Sequence, residues 1–260
     1  MCKELILNSL TMQSALYDLP NEKERQKSNQ ELANLFANIV KNSNIESFYE
    51  IGALYAEMSV YLKDSVNNIF AFEASTRNFN LAKDKVEGIK YLNLAISNYD
   101  GEIDINMGYS NGANIGADSV LNRIDNGSIE YKVEKIKCSK LDSFIKSKKL
   151  KGKSNALWID VEGSSLDVLE GSKEALLDTK VIFIEVEEVI FWENQHLVAD
   201  INKFLCDEGF VPIARDFEYE NQFNIVYVKE DIVYSSAVDI SLQMFYAGYS
   251  TKEPKYVQKI

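Results

Sequence analysis

Carboxylates recur in this sequence where apolar runs end. Glu50 lies near the end of one run, Glu73 closes a second, Asp160 and Glu162 follow a third, and Glu185 and Glu187 a fourth. A carboxylate can accept hydrogen bonds from two neighbouring hydroxyls, or take a proton from one of them. Glu73 stands 23 residues after Glu50, close to the roughly 20-residue offset at which a ribose-binding acid follows the first strand–helix turn of a nucleotide-binding sheet. That first turn reads Glu50-Ile51-Gly52-Ala53-Leu54-Tyr55-Ala56, and Gly52 lets the backbone approach a ligand closely. One glycine is too few for the pyrophosphate fingerprint of NAD or FAD, so a cofactor with one adenosine and no phosphate fits better. Asp160 and Glu162 alternate onto one strand face, where they either accept protons or bind backbone donors of the next turn. His196, the only histidine, is a candidate base after Asp160 and ahead of Glu162, or an ordinary surface residue, and its being alone excludes any site built on two. The acids around Glu185, Glu187, Glu188 and Glu193 also admit a divalent cation held through oxygen. No tight ligand motif is present, and no metal is expected.

The elements that must position these groups alternate in type. Residues 22–41 carry Leu32, Leu35, Phe36, Ile39 and Val40 at helical spacing. Strands are expected at 47–52, 68–73 and 89–96, with helices at 54–64 and 75–87 between them. This order implies a parallel sheet with helices on both faces. Residues 98–128 break the rhythm with five of the chain's 12 glycines, and 102–107 and 131–138 alternate like strands flanking a mobile loop. A helix follows at 141–149, a strand and turn at 155–163, a helix at 164–177 opened by a serine cap, and a strand at 180–188. Residues 197–208 read as a helix, and 210–217 and 223–230 as a closing antiparallel pair. Ala237–Tyr246 is amphipathic and suits a lid, an arm or a contact in a homodimer. The division expected is a helical extension over 1–45, a principal domain over 46–230 with an insertion at 98–138, and a tail over 231–260.

With 46% apolar and 26% charged residues the composition is that of a globular protein with material for a core. A net charge of −12 argues against nucleic acid as partner. The excess is local: residues 1–155 balance 20 basic against 20 acidic side chains, whereas 156–193 set Lys173 and Lys180 against 10 acids. No apolar run approaches the roughly 20 residues of a membrane span, and the first twenty residues make a poor signal peptide. Cys2, Cys138 and Cys206 form no CxxC pair, which disfavours a disulfide framework and suits a reducing cytoplasm.

The segments EIGALYAEMSVYL, FAFEASTRNFNLAK, LNLAISNYDGEIDI, LDSFI, WIDVEGSSLDVLEGSKEALL and VIFIEVE together resemble the FkbM-type S-adenosylmethionine-dependent methyltransferases, over about residues 47 to 229. The most specific piece is Ile159-Asp160-Val161-Glu162-Gly163 with Leu169-Glu170-Gly171 behind it. The resemblance implies a Rossmann-like α/β fold, a seven-stranded, mostly parallel methyltransferase sheet with helices on both faces. It also implies S-adenosylmethionine as cofactor and O-methylation of sugars or natural-product hydroxyls. The family's first motif reads Asp-x-Gly-Ala-Asn-x-Gly, and here Glu50, Leu54 and Ala56 replace its Asp, Asn and second Gly. Carried over, Gly52 and Ala53 line the methionine end with Glu50 close by. Glu73 binds the ribose, Ala95 and Ile96 flank the adenine, and Asp160 sits near the transferring methyl.

For the acceptor, the polar 108–127 segment offers Tyr109, Asn111, Asn114, Asp118 and Arg123, or is a plain surface insertion. The substrate expected is a small molecule or glycan, with a nucleotide sugar as one form. A diphosphate would need Arg123, Lys132, Lys135 or Lys137 to meet it. Two further readings stand beside sugar methylation in capsule, lipopolysaccharide or related glycan assembly. One is methylation of a non-sugar natural product or a carboxylate, and the other a degenerate, cofactor-free binding module.

Overall fold

A computed structural model describes residues 22–250 apart from 115 and 126. Cys2 and the first part of the expected N-terminal extension lie outside the described residues.

The helix α1 (Glu22–Asn42) leads into β1 (Ser47–Ile51), α2 (Glu57–Leu62), β2 (Asn68–Glu73), α3 (Thr76–Ala82) and β3 (Lys90–Asn93). A second sheet follows, from β4 (Ala95–Ile96), β5 (Gly101–Ser110), β6 (Ala113–Asn114) and β7 (Glu130–Ser139). The chain then runs through α4 (Leu141–Lys148), β8 (Asn155–Ile159), α5 (Ser165–Glu170), α6 (Lys173–Asp178) and β9 (Thr179–Glu187). It closes with α7 (Val198–Asp207), β10 (Phe210–Arg215), β11 (Gln222–Lys229) and α8 (Ser236–Ser250).

The main sheet has seven strands in the order β10-β11-β9-β8-β1-β2-β3. Only β11 runs against its neighbours, antiparallel to both β9 and β10. Strands such as β1 and β9 are almost continuously buried, as a sheet covered on both faces demands. On one face α1 buries Leu32, Leu35, Phe36 and Ile39, and the Phe36 ring stands edge-on to Trp158 at 5.5 Å. The tail helix α8 joins this face with Val238 and Phe245. On the other face lie Leu141 of α4, Leu169 of α5, Leu176 of α6 and Leu205 of α7. No described helix is long and apolar enough to cross a membrane.

Four expected elements take a different form. The 89–96 strand divides at Leu94: β3 stays in the main sheet, while β4 pairs with β7 in the second. The 54–64 helix begins only at Glu57, because Leu54 and Ala56 are left-handed, at φ +41° and +52°. The 75–87 helix ends at Ala82, with Ser75 capping it through Asn78 N–H. The 164–177 helix is broken in two at Gly171–Ser172, and Ser164 does not cap it. The Ser164 hydroxyl donates to Val161 O at 3.0 Å instead. A Cβ on Gly171 would lie 2.0 Å from Ser97 O, so the break lets the end of β4 pack against the chain here.

The inserted segment is anchored on both sides. β5 and β7 form a long antiparallel ladder from Gly101↔Cys138 to Tyr109↔Glu130. The connection between them is tied by backbone bridges, Asn106 to Ser119 and Arg123 to Trp192.

Candidate active site

The chain builds β1, β2 and β3 outward in one direction, then β8 and β9 in the other. The order reverses between β1 and β8, and open parallel sheets bind ligands beyond the carboxyl ends of strands at such a point. Two cavities meet there. One, of about 330 Å³, is lined by Glu73, Ala95, Ile96, Asp160 and Glu162 among others. The second, of about 430 Å³, lies toward α1 and is lined by Glu50, Gly52, Ala53, Trp158 and Asn34. Gly52, Leu54 and Asp160 border both.

Each acid is held by its strand end. Glu73 is 5% exposed, and its two carboxylate oxygens accept from Leu54 N–H and Ser75 N–H, both at 2.8 Å. Burial pushes its carboxyl up to about 7, against those hydrogen bonds. Glu50 accepts from Ser59 N–H at 2.7 Å, and burial raises it to about 7 as well. Gly52 sits at φ +80°, where a Cβ would stand 1.6 Å from Asp160 O. Its small size therefore lets the first turn press against the end of β8, besides opening the backbone to both cavities.

Beyond β8 and β9 the acids crowd. Burial raises Asp160 to about 6, helped by the negative charges of Glu218 and Asp216. Glu162 is pushed to about 8 by burial and then by Asp160 and Glu187. Glu185 is raised well above the ordinary carboxylate range by burial and by Asp160 and Glu162. Glu162 is left-handed, at φ +48°. Its carbonyl accepts from the Ser119 hydroxyl at 2.7 Å, which fastens the inserted segment to the Asp160–Gly163 turn. Gly163 is required where it stands, since a Cβ would meet the Trp192 ring at 2.4 Å. Among the described residues no group of three or more acidic, histidine or cysteine side chains has the arrangement of a metal site.

The sequence-predicted residues separate into three groups. Glu73, Ala95, Ile96, Asp160, Glu162, Gly52 and Asp118 border the first cavity, and Glu50 and Ala53 the second. Asp118 is held by a clamp: Arg77 Nη2 lies 2.6 Å from its Oδ1, and Asn78 Nδ2 and Gly108 N–H also donate to it. The remainder lie elsewhere. His196 is exposed, with Nδ1 3.6 Å from Asp200 Oδ2, and does not border either cavity. Tyr109 stacks under Arg77 at 4.4 Å. Arg123 lies over Trp192 at 5.1 Å. Asn111 is an exposed turn residue, and the backbone of Asn114 pairs with Tyr109. Asn78, Glu218, Tyr219 and Gln222 border the first cavity without having been singled out in the sequence. Glu218 and Tyr219 belong to the β10–β11 connection and Gln222 opens β11; this polar stretch lies over the cleft because β11 inserts between β9 and β10.

An acid at the end of β2, an apolar wall at β4 and a glycine turn at β1 fit an adenosyl cofactor without phosphate. No Lys, Arg or His borders the two cavities among the described residues, so no pyrophosphate partner is at hand. The fold and this site define an S-adenosylmethionine-dependent methyltransferase, with S-adenosylmethionine as its cofactor. The methyltransferase FkbM domain matches residues 36–212, most of the chain, and the protein belongs to that family.

Among solved structures it is similar to the magnesium protoporphyrin IX methyltransferase of Synechocystis PCC 6803 with bound SAM. That match has 12% identity, 79% of each chain covered and a TM-score of 0.44. An rRNA methylase from Streptococcus thermophilus is similar at 8% identity over 77% of this chain and 96% of that one, with a TM-score of 0.44. A precorrin-6y C5,15-methyltransferase from Geobacter metallireducens GS-15 is similar at 12% identity, over 76% and 87%, with a TM-score of 0.41. No curated protein matches the chain in sequence.

Proposed function

We propose that this protein O-methylates a sugar hydroxyl, in glycan assembly. The observation that carries the reading is the lining of the first cavity: carboxylates and amides converge there beside the apolar adenine wall. Such a lining suits a polyhydroxylated acceptor rather than an apolar one.

In this reading Glu73 accepts the two ribose hydroxyls, and Ala95 and Ile96 flank the adenine. Glu50, Gly52 and Ala53 border the amino-acid end in the second cavity. S-adenosylmethionine, when bound, supplies an electrophilic methyl group. The chain's own work is to hold the acceptor oxygen in line and keep water out. Asp160, at the junction of the two cavities, takes the hydroxyl proton as the new oxygen–carbon bond forms. Glu162 is the alternative acceptor of that proton. His196 is left outside the chemistry by its exposure. Asp118 borders the acceptor side and is the member of the inserted set best placed to meet substrate. A nucleotide-sugar acceptor would have to keep its diphosphate outside the cavity, because no cationic side chain borders it among the described residues.

Two measurements test this. Isothermal titration with S-adenosylmethionine must show binding to the pure protein; no binding sinks the assignment. Transfer of labelled methyl to a panel of sugars and nucleotide sugars must then yield an alkali-stable methyl ether. Transfer to none of the sugars, but to a non-sugar hydroxyl or a carboxylate, replaces the sugar by that acceptor.

A further inference from the structure

The acid in the first cavity exceeds what the cofactor can answer. Asp118 is matched by Arg77, and each oxygen of Glu73 accepts from a backbone amide and has room left for a ribose hydroxyl. Asp160, Glu162, Glu185 and Glu218 remain on the same lining; no cationic side chain borders it among the described residues, and Arg123 acts on Glu162 from outside it. Glu185 adds a separate fact. The Gln222 side chain reaches its carboxyl, yet Oε1 is buried without a hydrogen-bond partner on a residue that borders the cavity. A buried carboxyl oxygen left without a partner is costly to keep so. A sulfonium brings one positive charge, toward the Gly52–Asp160 junction. Glu185 lies near the end of β9 and Glu162 in the turn after β8.

We propose that the acceptor carries a protonated amine, an amino sugar or similar aminated polyol, whose ammonium is held by Glu185 and Glu162 while a neighbouring hydroxyl reacts. This rests on the methyltransferase reading above and narrows its substrate. An ammonium has three donors and no acceptor, so it satisfies the orphaned Glu185 oxygen and also offsets the charge that Glu185 and Glu162 take on as they ionise. A neutral sugar hydroxyl does only the first. An N-acetylated or phosphorylated sugar removes or opposes the charge.

The test uses the full chain saturated with S-adenosylhomocysteine. D-glucosamine and D-galactosamine are titrated calorimetrically beside their N-acetyl forms and beside D-glucose. The amines should bind about tenfold or more tightly than the neutral sugars, and Glu185→Gln should erase that preference while leaving cofactor affinity unchanged. At pH 7 amine binding should release protons, read as a heat that varies with the buffer's ionisation enthalpy. Equal affinities, a preference that survives Glu185→Gln, or binding of none of these sugars overturns the proposal. Magnesium-dependent turnover with magnesium bound at these acids overturns it in favour of a divalent cation. If S-adenosylhomocysteine itself fails to bind, the methyltransferase reading has failed instead, and the two failures are thereby told apart.

Discussion

Leu54 and Glu73 are joined by a 2.8 Å hydrogen bond from the backbone N–H of the first turn to the carboxylate that closes β2. One side chain therefore fixes the first turn, proposed to face the methionine end, and borders the cavity proposed for the ribose. The Glu73 oxygens keep lone pairs free for two hydroxyls. Glu73→Ala should weaken S-adenosylmethionine binding by about 1–3 kcal/mol, measured calorimetrically on protein whose thermal unfolding shows it folded. Unchanged affinity removes Glu73 from the ribose.

Asp160 borders both cavities, so it should matter to turnover more than to cofactor capture. Asp160→Asn keeps the shape and removes the proton acceptor. Turnover should fall by about 10²–10⁴, with the cofactor Kd little changed. Near-normal turnover transfers the role to Glu162, and a lost Kd makes Asp160 a binding residue.

Gly171 tests packing free of backbone strain, because its φ of −77° is open to any residue. Only the approach of Ser97 O forbids a side chain there. Gly171→Ala should destabilise the fold by about 3 kcal/mol, the upper end of ordinary overpacking, as a lowered midpoint of denaturant unfolding. A midpoint equal to that of the parent would mean the β4 end moves away at no cost.

The raised carboxyls make stability depend on pH. Glu50, Glu73 and Glu187 titrate near 7 and Glu162 near 8 in the folded chain, against about 4.3 when unfolded. Between those values the folded state binds more protons than the unfolded one. Stability should therefore fall as pH rises from about 4.5 to about 8. The melting temperature of the ligand-free protein should be higher at pH 5.5 than at pH 8, and Glu162→Gln should flatten the slope. A melting temperature that climbs over that range contradicts the burial of these acids.

Arg77 and Asp118 hold the inserted segment to α3, with side chains only 17% and 5% exposed. Arg77→Met leaves Asp118 without its cation, a loss of about 3 kcal/mol or more for a buried pair. Amide exchange should speed up around residues 108–125, and the cofactor Kd should rise. Unchanged exchange there would show that the Asn106–Ser119 and Arg123–Trp192 bridges suffice alone.

Much of this molecule is written in local sequence. The buried strands of the sheet are near-continuous apolar runs, and α1 announces itself by helical spacing, because burial on one or both faces dictates those periods. The acids at the strand ends, Glu50, Glu73 and Asp160, are legible for the same reason: a parallel sheet collects its strand ends on one edge. What tertiary structure decided is which side chains meet across that edge. Nothing local divides 89–96 between two sheets or breaks 164–177 at Gly171: the first depends on β4 pairing with β7, and the second stands where the backbone of Ser97 approaches Gly171 too closely for a side chain. His196 follows an apolar strand in sequence, yet the chain turns it outward beside Asp200. Glu218, Tyr219 and Gln222 reach the cleft because β11 enters between β9 and β10. Asp118 becomes part of the site through Arg77, 41 residues earlier in the chain. Periodicity reports how a segment is buried, whereas convergence of distant segments depends on strand order and close backbone approach, and those exist only once the sheet has formed.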